Sequence, residues 1–199
     1  MRRFAITHDY LCPFARNAAE VVVRALESGA PFQPDFRAFS LSQVHLTDGE
    51  PPVWQPVAEP RSGVQALQWG LAVRDELPER FPAVHLALFA ARHDLGRDLN
   101  DPEVLATAVA SAGVDPDEVE KLVASGRPAA ALADDHTWAA DTARVFGVPT
   151  FVTTGRAVFV RQMDRPATPE AAGSTLDRVL TMVEDWPDLN EFKTTAIPR

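Results

Sequence analysis

The stretch Asp9-Tyr10-Leu11-Cys12-Pro13-Phe14-Ala15-Arg16 holds the only cysteine of the chain and sits where a strand gives way to a helix. Upstream, Phe4-Ala5-Ile6-Thr7 reads as a short buried strand. Downstream, Ala15, Ala18, Ala19, Val22, Ala25 and Leu26 recur at the spacing of an amphipathic helix. Pro13 suits the first helical position, where a missing N–H costs nothing. Cys12 then falls at the N-cap, facing unpaired amide N–H groups and the positive end of the helix dipole. That position is expected to favour the thiolate and lower the cysteine pKa. The plain alternative is a small buried hydrophobe without chemistry.

Working outward, Ser28-Gly29-Ala30-Pro31 stops the helix, and Phe32 to Phe39 reads as a second strand with Phe36 and Ala38 on one face. Strand–helix–strand implies a right-handed crossover and a parallel pair. Ser40 to Ser62 carries Pro51, Pro52, Pro56 and Pro60 and is expected to be a long surface loop. From Gly63 to Phe146 the signals are helical. Val64, Leu67 and Leu71 form one stripe, and Val84, Leu88, Ala91 and Leu95 form another. Asp101-Pro102 and Asp115-Pro116 each place an acid at the N-cap and proline at the next position, and Asp115 with Glu118 has capping-box spacing. A last helix is expected from about Ala129 to Phe146, closed by Gly147. Thr150-Phe151-Val152 and Ala157-Val158-Phe159-Val160 flank Gly155 as an antiparallel hairpin. Thr168-Pro169-Glu170 opens a closing helix with the stripe Ala172, Leu176, Val179, Leu180 and Val183. The tail from Trp186 has no clear period and is expected to drape over the surface.

Composition sets bounds. A chain of 199 residues buries one good core. A net charge of −9 argues against nucleic acid or an anionic membrane as partner. One cysteine cannot form an internal disulfide, and no apolar run of signal-peptide or membrane-spanning length occurs, so a reducing, cytoplasmic setting is expected. His8, His45, His85, His93 and His136 are scattered without ligand spacing, so no metal site is expected. No glycine-rich phosphate loop and no hydrolase elbow is present. Trp54, Trp69 and Trp138 suit either a pocket for a flat organic molecule or simple core packing.

Taken in order, these elements resemble the DsbA-like thioredoxin family, most closely in Asp9-Tyr10-Leu11-Cys12-Pro13-Phe14 and Gly147-Val148-Pro149-Thr150-Phe151. The segments Pro166 to Gly173 and Trp186 to Lys193 are similar to the end of mycothiol-dependent nitroreductases and related oxidoreductases. The resemblance implies an α/β fold: a thioredoxin-like core with a four-stranded mixed sheet (1–62 and 147–199) and a large inserted all-helical subdomain (63–146) acting as a lid. It implies Cys12 as nucleophile and a cis Pro149. Pro13, Phe14, Arg16, Val148, Pro149 and Thr150 would bind substrate, with the Val148 backbone free to pair with an extended ligand.

Redox members of the family carry Cys-Pro-x-Cys, whereas Ala15 stands at the fourth position here. A dithiol cycle within the chain is therefore ruled out. A monothiol route stays open, with mycothiol or glutathione as a loosely held cosubstrate and a small organic or disulfide compound as its partner. So do a thiol-dependent isomerase or transferase of the kappa-class glutathione transferase type, and a non-catalytic binding protein. Monomer and homodimer both stay open. Arg16, one turn beyond Cys12, is a candidate to favour the thiolate. His8 is a candidate base. Asp9 is read as structural, because its charge would oppose a thiolate.

Overall fold

In the computed structural model, which describes residues 1–56, 61–191 and 193, two strands flank the cysteine-bearing helix. They are β1 (Arg2–His8), α1 (Pro13–Glu27) and β2 (Phe32–Ala38). β1 and β2 pair in parallel with Ile6 opposite Phe36, as the crossover argument expects. Gly29 takes φ 75 just beyond the C-cap of α1. Pro34 lies within β2, which is tolerated because β2 is an edge strand.

The Ser40–Ser62 stretch is not all loop, because Leu41–Val44 forms a single helical turn, α2. Its cause is the Ser40 hydroxyl, which accepts from the Gln43 N–H at 3.2 Å. Val57 to Pro60 lies outside the described residues.

Five helices follow: α3 (Val64–Glu76), α4 (Phe81–His93), α5 (Pro102–Ser111), α6 (Pro116–Ala124) and α7 (Arg127–Thr137). Asp101 and Asp115 cap α5 and α6 as expected, but each accepts from the residue two positions on, so no capping box closes at Glu118. The helix expected to end at Gly147 stops earlier. α7 widens after Thr137 into a π-helical turn over Trp138–Thr142, and the chain leaves it through Arg144 at φ 56. The left-handed residue that ends this segment is thus an arginine rather than the glycine read from the sequence.

The sheet resumes with β3 (Thr150–Thr153) and β4 (Arg156–Phe159), a hairpin turning at Gly155 with φ 88. β3 lies antiparallel to β1, giving the order β2-β1-β3-β4, a four-stranded mixed sheet. The last helix, α8 (Pro169–Asp185), is capped by the Thr168 hydroxyl and packs on α1, β3 and β4. The tail expected to drape over the surface lies outside the described residues beyond Glu191, apart from Lys193.

Two connections tie the helices between β2 and β3 to the sheet. Asp135 on α7, almost fully buried, accepts from the Ala38 N–H at 2.9 Å and pairs with Arg37 and with Arg74 of α3. A buried carboxylate is tolerated only when its lone pairs are met in this way. Tyr10, fully buried, places its hydroxyl 2.9 Å from His85 Nδ1 on α4, while its carbonyl accepts from His93 Nε2 at 2.9 Å. The loop that carries Cys12 is thereby gripped at both ends of one tyrosine.

Candidate functional site

Cys12 is the N-cap of α1, with backbone angles of −92 and 118 and Pro13 following at the first helical position. The turn that delivers it is set by Asp9. The buried Asp9 carboxylate accepts from the Leu11 N–H at 2.8 Å and the Leu41 N–H at 2.7 Å, and its carbonyl accepts from the Cys12 N–H at 3.0 Å. Asp9 is structural, as its charge argued. Burial raises its carboxyl to about 6.

Across from Cys12 lies Val148, followed by a cis peptide bond to Pro149. The half-buried thiol donates to the Val148 carbonyl at 3.3 Å. The segment is pinned on every other side. The Thr150 N–H donates to the Thr7 hydroxyl at 3.0 Å, the Thr150 hydroxyl donates to the Gly147 carbonyl at 2.7 Å, and the Val160 N–H donates to the Pro149 carbonyl at 3.1 Å. The Val148 carbonyl is left facing the sulfur. Residues 136 positions apart are brought together here by the antiparallel pairing of β1 and β3.

The electrostatics differ from the sequence expectation. Burial pushes the Cys12 thiol up, the amides of Ala15 and Phe14 pull it down, Asp9 pushes it up and Arg161 pulls it down; the net direction is upward. The Ala15 and Phe14 amides face the sulfur without closing a full capping hydrogen bond, so the pull of the helix start is weaker than that of a capped terminus. The expected lowering is thus corrected: desolvation by burial is the largest influence, and it favours the thiol over the thiolate.

The other candidates fall out as follows. Pro13 is exposed and Phe14 half-buried beside the thiol, while Val148, Pro149 and Thr150 are buried. Arg16 is buried instead of solvated, and its guanidinium is committed to Asp94, the residue that caps the end of α4, and to Glu20 at 3.8 Å. It serves as a tie between α1 and α4. His8 is fully buried in an aromatic cluster with Tyr10 and His85 and held near 3 by burial and the Arg74 charge. It is uncharged at neutral pH, and its ring packs in the core. Trp69 is buried, Trp54 packs on His136, and Trp138 lies under the Arg37 guanidinium. An open cavity of about 630 Å³ runs across β1, β2 and β3 beside Trp138 and includes none of the residues around Cys12. Among the described residues, no group of three or more His, Cys, Asp or Glu side chains converges as a metal site.

Three residues near the thiol carry no sequence motif. Arg161, just past β4, stacks its guanidinium over Phe14 at 5.3 Å and over Phe159 at 5.9 Å. Asn17 of α1 donates to the Gln162 carbonyl at 2.9 Å and the Met163 carbonyl at 3.1 Å, fixing the segment that bears Arg161. Phe159 is paired with Thr150 across the hairpin, so the hairpin register is the only signal that places it at the site.

This arrangement has known relatives. Chain folds of similar shape include a Streptomyces coelicolor protein assigned as a DsbA oxidoreductase, at 18% identity over 100% of both chains with a TM-score of 0.63. The Neisseria meningitidis oxidoreductase DsbA1 matches at 17% identity over 92% of this chain and 83% of its own, TM-score 0.60. The Xylella fastidiosa oxidoreductase DsbA matches at 19% identity over 90% and 84%, TM-score 0.56. No curated protein matches in sequence. Residues 6–168, which run from β1 through both halves of the thiol site to the cap of α8, match the DSBA-like thioredoxin domain, and the chain belongs to that family.

Proposed function

We propose that this DsbA-family protein is a monothiol thiol–disulfide oxidoreductase working with a low-molecular-weight thiol. The observation that carries the reading is the Cys12 sulfur held at a helix start against the Val148 carbonyl beside Pro149, with Ala15 buried where a resolving cysteine would stand. Cys12 loses its proton to solvent and attacks one sulfur of a small disulfide. A new bond forms between Cys12 and that sulfur, the substrate S–S bond breaks, and the released thiolate takes up a proton. A second free thiol then attacks the mixed disulfide, which returns Cys12 as a thiol and leaves a new small disulfide. Mycothiol and glutathione are the proposed cosubstrates, a small organic or disulfide compound is the proposed second substrate, and the proposed setting is the reducing cytoplasm. The Val148 carbonyl is suited to accept an N–H of an extended ligand, as an added strand would.

The test is intact mass after incubation with oxidised glutathione or oxidised mycothiol at neutral and alkaline pH. One adduct per chain is expected, removed by free thiol and absent in Cys12→Ser. No adduct with either compound would overturn the reading. A second reading is favoured by the raised thiol pKa, namely a thioredoxin-fold binding protein whose Cys12 is inert. It predicts that absence of adduct at every pH.

A further inference from the structure

Three arginines lie around the N-terminal half of α1 and the exit of β4. Arg16 and Arg165 are both committed to Asp94 and Glu20. Arg161 makes no ion pair and no hydrogen bond among the described residues. The Glu191 carboxylate lies within reach of its field but is taken by Lys193 Nζ at 2.5 Å. Arg161 is exposed, yet its position is set. Asn17 fixes the two residues after it, and its guanidinium carbon sits over the Phe14 and Phe159 rings. Phe146, 76% exposed, extends the same shelf by packing on Phe159 at 5.4 Å. With the guanidinium carbon held over two rings and no partner for its N–H groups among the described residues, its N–H fork is available to receive a carboxylate.

We propose that Arg161 and the Phe14–Phe159 shelf form the anion-recognition subsite of the thiol centre, selecting carboxylate-bearing disulfides and thiols for Cys12. This rests on the monothiol reading above and narrows its substrate class. On a chain of net charge −9, an anionic compound is repelled on the whole, so a cation without an ion pair among the described residues, close enough to act on Cys12, biases which small molecules arrive. The Arg161 field reaches Cys12 itself, where it favours the thiolate. Of the two cosubstrates named, glutathione carries carboxylates and mycothiol carries none, so the subsite favours glutathione-like thiols.

The experiment compares rates of Cys12 mixed-disulfide formation with dithiodipropionate (anionic), hydroxyethyl disulfide (neutral) and cystamine (cationic), in wild type and Arg161→Gln. The expected result is that the anionic probe outpaces the neutral one by about fivefold, the yield of an exposed ion pair. The cationic probe should be slowest, and added salt should compress the series. Arg161→Gln should bring the anionic-to-neutral ratio close to one while the neutral probe still reacts. The ratio is the readout because the substitution also alters the thiol. Equal rates in wild type, or an unchanged ratio in Arg161→Gln, would overturn the subsite and leave the monothiol reading standing. No reaction with any probe would overturn the monothiol reading, and the subsite with it.

Discussion

Cys12 shows two opposing influences on one atom. The helix start and Arg161 favour the thiolate, while burial and Asp9 favour the thiol, and burial wins. Alkylation by iodoacetamide followed against pH is therefore expected to inflect above the value of about 8.5 usual for a free thiol. Arg161→Gln should move the inflection further up, because it removes a charge that favours the thiolate. An inflection below the free-thiol value would mean that the dipole outweighs desolvation. That Cys12 stands at a helix start was legible in the sequence, since strand–Cys-Pro–helix fixes an N-cap without further information. The sign of its pKa shift was not, because desolvation depends on what the chain folds over it. Arg16 illustrates the same limit. Its position one turn along predicts proximity to Cys12, but Asp94, 78 residues away, captures the guanidinium.

Elements repeat the lesson in a local form. Wherever a helix start is encoded by a cap and a proline, as at Asp101, Asp115 and Thr168, the sequence and the structure agree. The single turn at Leu41–Val44 was hidden by the prolines that follow it, and the end of α7 was hidden because a π-helical turn has no residue signature. α3 carries a close approach that its sequence does not advertise. A Cβ on Gly70 would collide with the Tyr10 hydroxyl and lie 3.1 Å from two of its ring carbons. Tyr10 cannot yield, being fully buried and held at both ends. Gly70→Ala is therefore expected to destabilise by about 1–3 kcal/mol despite a helix-propensity gain of about 1 kcal/mol. In Gly173→Ala, on α8, the new Cβ would meet the rotatable Ser28 hydroxyl at 3.3 Å and the Ala30 Cβ at an ordinary 3.9 Å, so that variant should unfold within about 1 kcal/mol of wild type. Paired thermal melts check both, and a harmless Gly70→Ala would show that Tyr10 has room to move.

On the scale of the whole molecule, the resemblance of element order to thioredoxin-like folds was legible because it spans the chain. What the sequence could not show was how the helices grip the sheet. They do so through buried polar groups at Asp135, His8, His85 and Tyr10. That choice makes stability depend on pH. Burial holds His8 at about 3 and His85 well below its ordinary value. Below about 6.5 the unfolded chain takes up protons that these two rings refuse, so stability falls as pH drops from there toward 3. Asp9, raised to about 6, acts in the opposite sense between about 6 and 3.8, because the folded chain binds its proton first. His93 and His136, also lowered by burial, act with His8 and His85, so the net effect in that window is a loss of stability as pH falls. Urea unfolding across acidic pH is expected to show this loss in wild type and a shallower one in His8→Leu. An unchanged slope in the variant would remove His8 from the account.

The contact between the Cys12 thiol and the Val148 carbonyl has a calorimetric consequence. That carbonyl accepts the S–H proton. A ligand N–H that takes the same lone pair displaces this proton-bearing group, which leaves the sulfur without its acceptor and easier to ionise. Ligand capture and proton loss are thereby linked. Titration calorimetry in buffers of different ionisation heat should register proton release on binding at alkaline pH, and Cys12→Ala should bind with none.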